Sequence, residues 1–285
     1  MRTRLGLVVL LMPLFLGGCG LFGGGLFGGG SGTAKKPAAP TTAQGLYNQG
    51  VERMNASDFK EAINDFDQVE VNFPFSPWAV NAQLMHGYAA YLQQDYTGAI
   101  GALDRFIQLH PANPDIAYAY YLRALCYYEQ ISDVARDQKT THEAIAALQE
   151  VASRFPGTAY ANDARLKIDL CNDHLAGHEM MVGRFYERQH DYIAAIGRYQ
   201  GVVKDYQTTS HVPEALERLV ECYLKLGMIP EAQHAGAVLG YNYPGSHWYR
   251  DAFARLHDAG VVASNAPPPA NGGPGFFGGI WDAIF

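Results

Sequence analysis

The chain has 285 residues, with 28 acidic against 21 basic side chains and a formal net charge of −7. That balance argues against nucleic acid as a partner. Four widely spaced cysteines exclude a disulfide framework and any CxxC metal or redox motif, while 18 tyrosines and 14 phenylalanines supply abundant aromatic surface.

The first element is an export signal. Arg2 and Arg4 precede a mostly apolar run from Leu5 to Leu16. A run of that length suits a signal peptide and is too short to cross a bilayer, which takes about 20 residues. It ends Leu16-Gly17-Gly18-Cys19, which resembles a bacterial lipobox. The reading is a signal peptide over 1–18, lipidation at Cys19 and a body held on a membrane by more than one acyl chain. Gly20, where Asp is absent, fits sorting to the outer membrane. Residues 19–42 are rich in Gly, Pro, Ala and Thr and read as a flexible linker with a reach of roughly 25–29 Å.

A repeat follows. Five blocks align on an alanine: "DFKEAI" at Ala62, "DYTGAI" at Ala99, "TTHEAI" at Ala144, "DYIAAI" at Ala195 and "MIPEAQ" at Ala232. Twelve residues later stand Pro74, Pro111, Pro156, Gln207 and Pro244. Gly50, Gly87, Gly183 and Val220 lie twelve residues before the alanine, and Ala124 twenty before its own. A large residue usually follows the alanine by four, as Phe66, Leu103, Leu148 and Tyr199, but Gly236 breaks that rule.

This pattern resembles the tetratricopeptide repeat: small residues let two antiparallel helices cross closely, and proline ends the second helix. The predicted fold is all-α, a right-handed solenoid of five such helix pairs. Repeats 1–3 occupy 43–157. A long helix and repeats 4–5 occupy 158–260. A Pro/Gly-rich disordered tail takes 261–285.

The alanine-to-alanine steps are 37, 45, 51 and 37. The eight extra residues of the second step fall in "ISDVARDQK" and predict a longer loop inside the third repeat. The fourteen extra residues of the third step equal about four helical turns and predict one long helix over 158–189, roughly 48 Å, kinked if anywhere at Gly177.

Projecting the repeat onto the chain selects inward-facing positions. They are Tyr47, Val51 and Met54, then Leu84, Tyr88, Tyr91 and Leu92, then Tyr118, Tyr121, Leu125 and Tyr128. The fourth repeat instead gives Arg184, Glu187 and Arg188, and the fifth gives Glu214, Glu217, Glu221, Leu224 and Lys225. The expectation is an aromatic half suited to an extended apolar peptide and a charged half suited to a complementary ionic interface. The alternatives are core packing for the tyrosines and a solvated face for the charges.

No enzyme is expected. GxSxG, HExxH and a phosphate-binding Gly-rich loop are all missing. His174 and His178 have helical i,i+4 spacing beside Glu179, but no third metal ligand is identifiable, so neither metal nor cofactor is assigned. Cys126, Cys171 and Cys222 read as buried helix residues, with one disulfide left open. The aromatic tail "GFFGGIWDAIF" reads as a sticky end or as a placeholder for the aromatic half.

Two stretches carry a more specific resemblance. "VNFPFSPWAVNAQL" (71–84) and "ALDRFIQLHPANPDIAYAYYLRAL" (102–125), behind a lipoprotein signal, are similar to the BamD family of outer-membrane assembly lipoproteins. That resemblance implies a lipid-anchored scaffold at the periplasmic face of the outer membrane. It implies three kinds of partner: the β-barrel assembly subunit, accessory lipoproteins, and unfolded outer membrane proteins whose terminal strand ends in an aromatic. Phe73, Phe75, Trp78, Tyr88, Tyr91, Arg105, Tyr118, Tyr121 and Arg123 are the expected client contacts. Arg184, Arg188 and Arg198 are the expected contacts to the assembly partner. The missing proline at Gln207 departs from the pattern. Another tetratricopeptide lipoprotein, such as a pilotin for a secretin or type IV pilus, shares the architecture and is the competing reading.

Overall fold

A computed structural model describes residues 41–262. They form eleven helices in one unit. The signal segment, Cys19, most of the linker and the aromatic tail lie outside the described residues.

The helices are α1 (Ala43–Asn55), α2 (Phe59–Asn72), α3 (Pro77–Leu92), α4 (Tyr96–Leu109), α5 (Ile116–Tyr128) and α6 (Lys139–Arg154). They continue with α7 (Ala159–Arg188), α8 (Tyr192–Asp205), α9 (Val212–Lys225), α10 (Ile229–Asn242) and α11 (His247–Asp258). Each packs on the next in sequence, and the first helices of pairs one to four also touch one another. This is the expected all-α stack of five pairs, with one helix more. Helix α11 was not foreseen; it closes the last pair by packing against both α9 and α10.

All five aligned alanines are fully buried. The small residue opposite each is equally literal in its job. A Cβ on Gly50 would come within 2.7 Å of the Phe66 ring, and one on Gly87 within 2.8 Å of Leu103. In the fifth pair the sizes are exchanged at the same registers: Val220 stands for the small residue and Gly236 for the large one, and both are buried. The apparent break at Gly236 is thus a swap that keeps the crossing filled.

The ends of the second helices explain why Gln207 can replace proline. Phe73, His110, Phe155, Tyr206 and Tyr243 close α2, α4, α6, α8 and α10 with φ between −136° and −123° and ψ between 45° and 54°. Each of these N–H groups still donates to the carbonyl four residues back. A half-buried ring residue at the cap sets the stop, and the proline after it only forbids continuation. The turns within pairs are equally uniform. Ser57, Gln94, His190 and Gly227 all take φ of 62–73° at the same point, five residues before the aligned alanine.

The third pair has no such turn. Residues 129–138 form the longer loop that the spacing predicts. Gln138 ties it together by donating to the carbonyls of Val134 and Arg136 at 3.2 and 2.8 Å. Helix α7 is unbroken over 30 residues, about 45 Å. It runs helical through Gly177. There the glycine gives room to neighbours: a Cβ would meet His211 at 3.3 Å and Val134 at 3.7 Å.

The core runs along the stack as four successive clusters, the largest spanning α7 to α11. Val261 and Val262 join that last cluster, so the packed body extends two residues past the predicted start of the tail. Cys126, Cys171 and Cys222 are buried free thiols, which answers the open disulfide question. Burial pushes Cys126 and Cys222 up to about 12 and Cys171 up to about 11. Among the described residues, no helix is long and apolar enough to cross a membrane.

Candidate functional site

Four of the expected tyrosines form one row. Tyr88 of α3 lies edge-on to Tyr118 of α5 with ring centroids 6.4 Å apart. Tyr118 and Tyr121 each pack on Tyr160 of α7, at 5.8 and 5.2 Å. Tyr91 closes the α3 end against Tyr96 at 5.9 Å. Every ring of the row is half-buried, packed against the core clusters and partly open to solvent. The fully packed tyrosine of α5 is its neighbour Tyr120. Helical spacing explains the division, because residues 118 and 121 share a face that 120 does not.

The hydroxyl of Tyr121 donates to Asp163 at 2.6 Å, and burial together with that carboxylate raises its pKa. Burial likewise raises that of Tyr118. Both phenols are therefore neutral donors across the physiological range. Tyr160 and Asp163 were missed by sequence reasoning. A signal was present: Tyr160 stands four residues after Pro156, as Trp78 stands four after Pro74 and Trp248 four after Pro244.

The first stop supplies a second aromatic group. Trp78 packs on Tyr47 at 5.0 Å, and Tyr47 on Phe66 at 5.7 Å. Phe73 caps α2 and packs on the first cluster. Phe75, in the turn between α2 and α3, is 99% exposed. Ser76 caps α3 by accepting from the N–H of Trp78 at 3.2 Å, with Pro77 at the first helical position, so the chain direction here is fixed locally.

Arg105 and Arg123 do not join the tyrosine row. Arg105 of α4 pairs with Glu70 of α2 at 2.5 Å. Arg123 bridges Asp104 of α4 and Glu150 of α6, at 2.7 and 2.5 Å, and its guanidinium stacks 5.0 Å from the Tyr120 ring. Both tie second helices of successive pairs to their neighbours.

The charged half is a linked set of ion pairs. Arg184 of α7 meets Glu214 of α9 at 2.8 Å, and Arg218 meets Glu187 at 3.5 Å. Arg255 of α11 reaches Glu217 at 2.7 Å and Glu221 at 2.9 Å. The Tyr199 hydroxyl donates to Glu187 at 2.6 Å. Glu217 is 2% exposed, so one carboxylate expected on the charged groove surface is instead the buried centre of the set. Burial raises its pKa, with Arg255 and Arg218 pulling the other way. Arg184 and the exposed Arg188 line one shallow pocket with Arg218 and Lys225. Arg198 is elsewhere, on α8, paired with Glu179 of α7 at 3.2 Å.

Of His174 and His178, the second has a structural partner. His178 donates from Nδ1 to the carbonyl of Val134 at 2.6 Å, holding the long loop against α7. Glu179 is taken by Arg198.

A stack of close-crossed helix pairs with buried aligned alanines, aromatic in one half and ionic in the other, defines a helix-repeat protein of the tetratricopeptide class. The chain belongs to the outer membrane lipoprotein family YfiO, whose model matches residues 40–239. It is 50% identical over 240 residues to the outer membrane protein assembly factor BamD of Caulobacter vibrioides, covering 83% of this chain and 79% of that one. It is 44% identical over 253 residues to the BamD of Rickettsia prowazekii, covering 88% and 96% respectively. The TPR2AB-domain:pHSP90 complex of yeast Sti1 matches with TM-score 0.42 and 15% identity over 77% of this chain and 83% of that one.

Proposed function

We propose that this chain is a lipid-anchored scaffold of the outer-membrane β-barrel assembly machinery, held by Cys19 at the periplasmic face. Its aromatic row on α3, α5 and α7 receives the terminal strand of unfolded outer membrane proteins. Its ionic half, at Arg184 and Arg188, meets the barrel subunit. The relatives' shared name, outer membrane protein assembly factor, supports the role.

The observation that carries the client reading is the half-buried state of Tyr88, Tyr91, Tyr118 and Tyr121. Rings held partly against the core offer large contact area at little entropic cost. Tyr121, oriented by Asp163, adds a fixed polar edge. An extended chain laid across three first helices can bury apolar side chains against the rings. Phe75 and Trp78 extend the same chemistry toward the first repeat. Arg105 and Arg123 act on this surface through the spacing of the helices that they tie.

The test is pull-down of the detergent-solubilised lipoprotein, followed by identification of what comes with it. A β-barrel assembly subunit in stoichiometric yield is the expected result. A secretin without any barrel-assembly subunit overturns the reading in favour of a pilotin.

A further inference from the structure

Beside the first repeat boundary, on α2 and α3, lies a cluster that neither the tyrosine row nor the ionic half uses. Asp67 and Glu70 sit three residues apart on one face of α2, and His86 reaches toward them from α3. One ligand atom from each of the three lies within 4.8 Å of the other two. The imidazole donates from Nδ1 to Asp67 Oδ1 at 2.7 Å.

Glu70 supplies the independent observation. Its side chain is 12% exposed, and Oε2 is held by Arg105 at 2.5 Å. Its other oxygen, Oε1, is buried and has no hydrogen-bond partner. A buried carboxylate oxygen without a donor is destabilising, more so where the group is charged, and a cation removes that cost. All three side chains line one open groove together with Arg105, which leaves space for water on a bound ion.

We propose that Asp67, Glu70 and His86 form a binding site for a divalent transition metal of the zinc type. The imidazole selects against calcium and magnesium, which take oxygen ligands. Two carboxylates and a neutral imidazole suit zinc with one position left to water, at bond lengths of about 2.0–2.2 Å. The ring proton moves to Nε2 as Nδ1 takes the metal. Arg105 stays on Oε2 as the outer partner that orients the ligating carboxylate. Bound metal staples α2 to α3.

Isothermal titration of zinc chloride into the purified full chain tests this, with calcium chloride as comparison. The wild type should bind one equivalent of zinc and no calcium, and its Tm should rise with zinc. His86→Ala and Glu70→Gln should each weaken zinc binding at least tenfold while keeping wild-type helicity by circular dichroism. His234→Ala, an exposed histidine on α10, should bind as the wild type does. Absence of zinc binding by the wild type, or an affinity that His86→Ala and Glu70→Gln leave unchanged, overturns the proposal.

Discussion

At Gly183 a Cβ atom would sit 2.5 Å from Cε1 of Tyr199, a ring that is fully buried and anchored by its hydroxyl to Glu187. The ring cannot retreat without losing that bond. Gly183→Ala should therefore destabilise by about 1–2 kcal/mol, overpacking outweighing the helix propensity that alanine gains. Gly101, on the open side of α4, has nothing within 4 Å of the same built atom. Gly101→Ala should stabilise by about 0.4–1 kcal/mol. Urea unfolding of the two variants checks the opposite signs, and equal shifts would show that the crossing is loosely packed.

At the scale of elements, legibility follows the repeat. The alanines, the glycines opposite them and the stops come from local sterics at fixed spacing, so five helix pairs, the long loop and the continuous α7 are readable from the chain. What the repeat does not encode was invisible. Helix α11 lacks the aligned alanine, yet Ser246 accepts from the N–H of Tyr249 at 3.1 Å to cap it. Tyr249 then fills the space that Gly240 leaves beside it. The ion-pair partners of Arg105, Arg123 and Arg184 lie 19 to 35 residues away, beyond any periodic rule. Projection onto one face gave the tyrosine row but could not tell that Arg123 points between α4 and α6, or that Glu217 is buried beneath the groove surface.

Helix α11 depends on that inward carboxylate. Arg255→Ala leaves Glu217 buried with only Arg218 nearby, at 3.7 Å. The loss of a charge-assisted bond of this kind costs about 1.5–3 kcal/mol near neutral pH. Glu217 has a raised pKa when folded, so the native state binds the proton more readily than the unfolded chain. Its contribution is fully present below the unfolded carboxylate range and falls as pH rises through the folded value. Removing Arg255 raises that value further. The deficit of Arg255→Ala should accordingly be largest at neutral pH and shrink on acidification. A deficit that stays constant with pH in denaturant titrations would mean that the pair contributes packing and not charge.

Across the whole described body, one repeated packing rule carries two different surfaces. The crossings keep one register in every pair, with the sizes exchanged in the fifth, while the residues free of crossing duty are tyrosines on α3 and α5 and charges on α7 and α9. Helix α7 belongs to both, giving Tyr160 to the aromatic row near its start and Arg184 to the ionic set near its end. The proposed role, holding a client and an assembly partner together, has use for such a division.

The most direct test of that division is photo-crosslinking of a peptide copied from the aromatic-ended C-terminus of an outer-membrane β-barrel. Tyr118→Ala with Tyr121→Ala should lower the crosslinking yield at subsaturating peptide about tenfold, the loss expected for central aromatic anchors, with far-UV circular dichroism unchanged. Arg188→Ala should leave the yield at the wild-type level. Undiminished crosslinking by the double tyrosine variant would contradict the account.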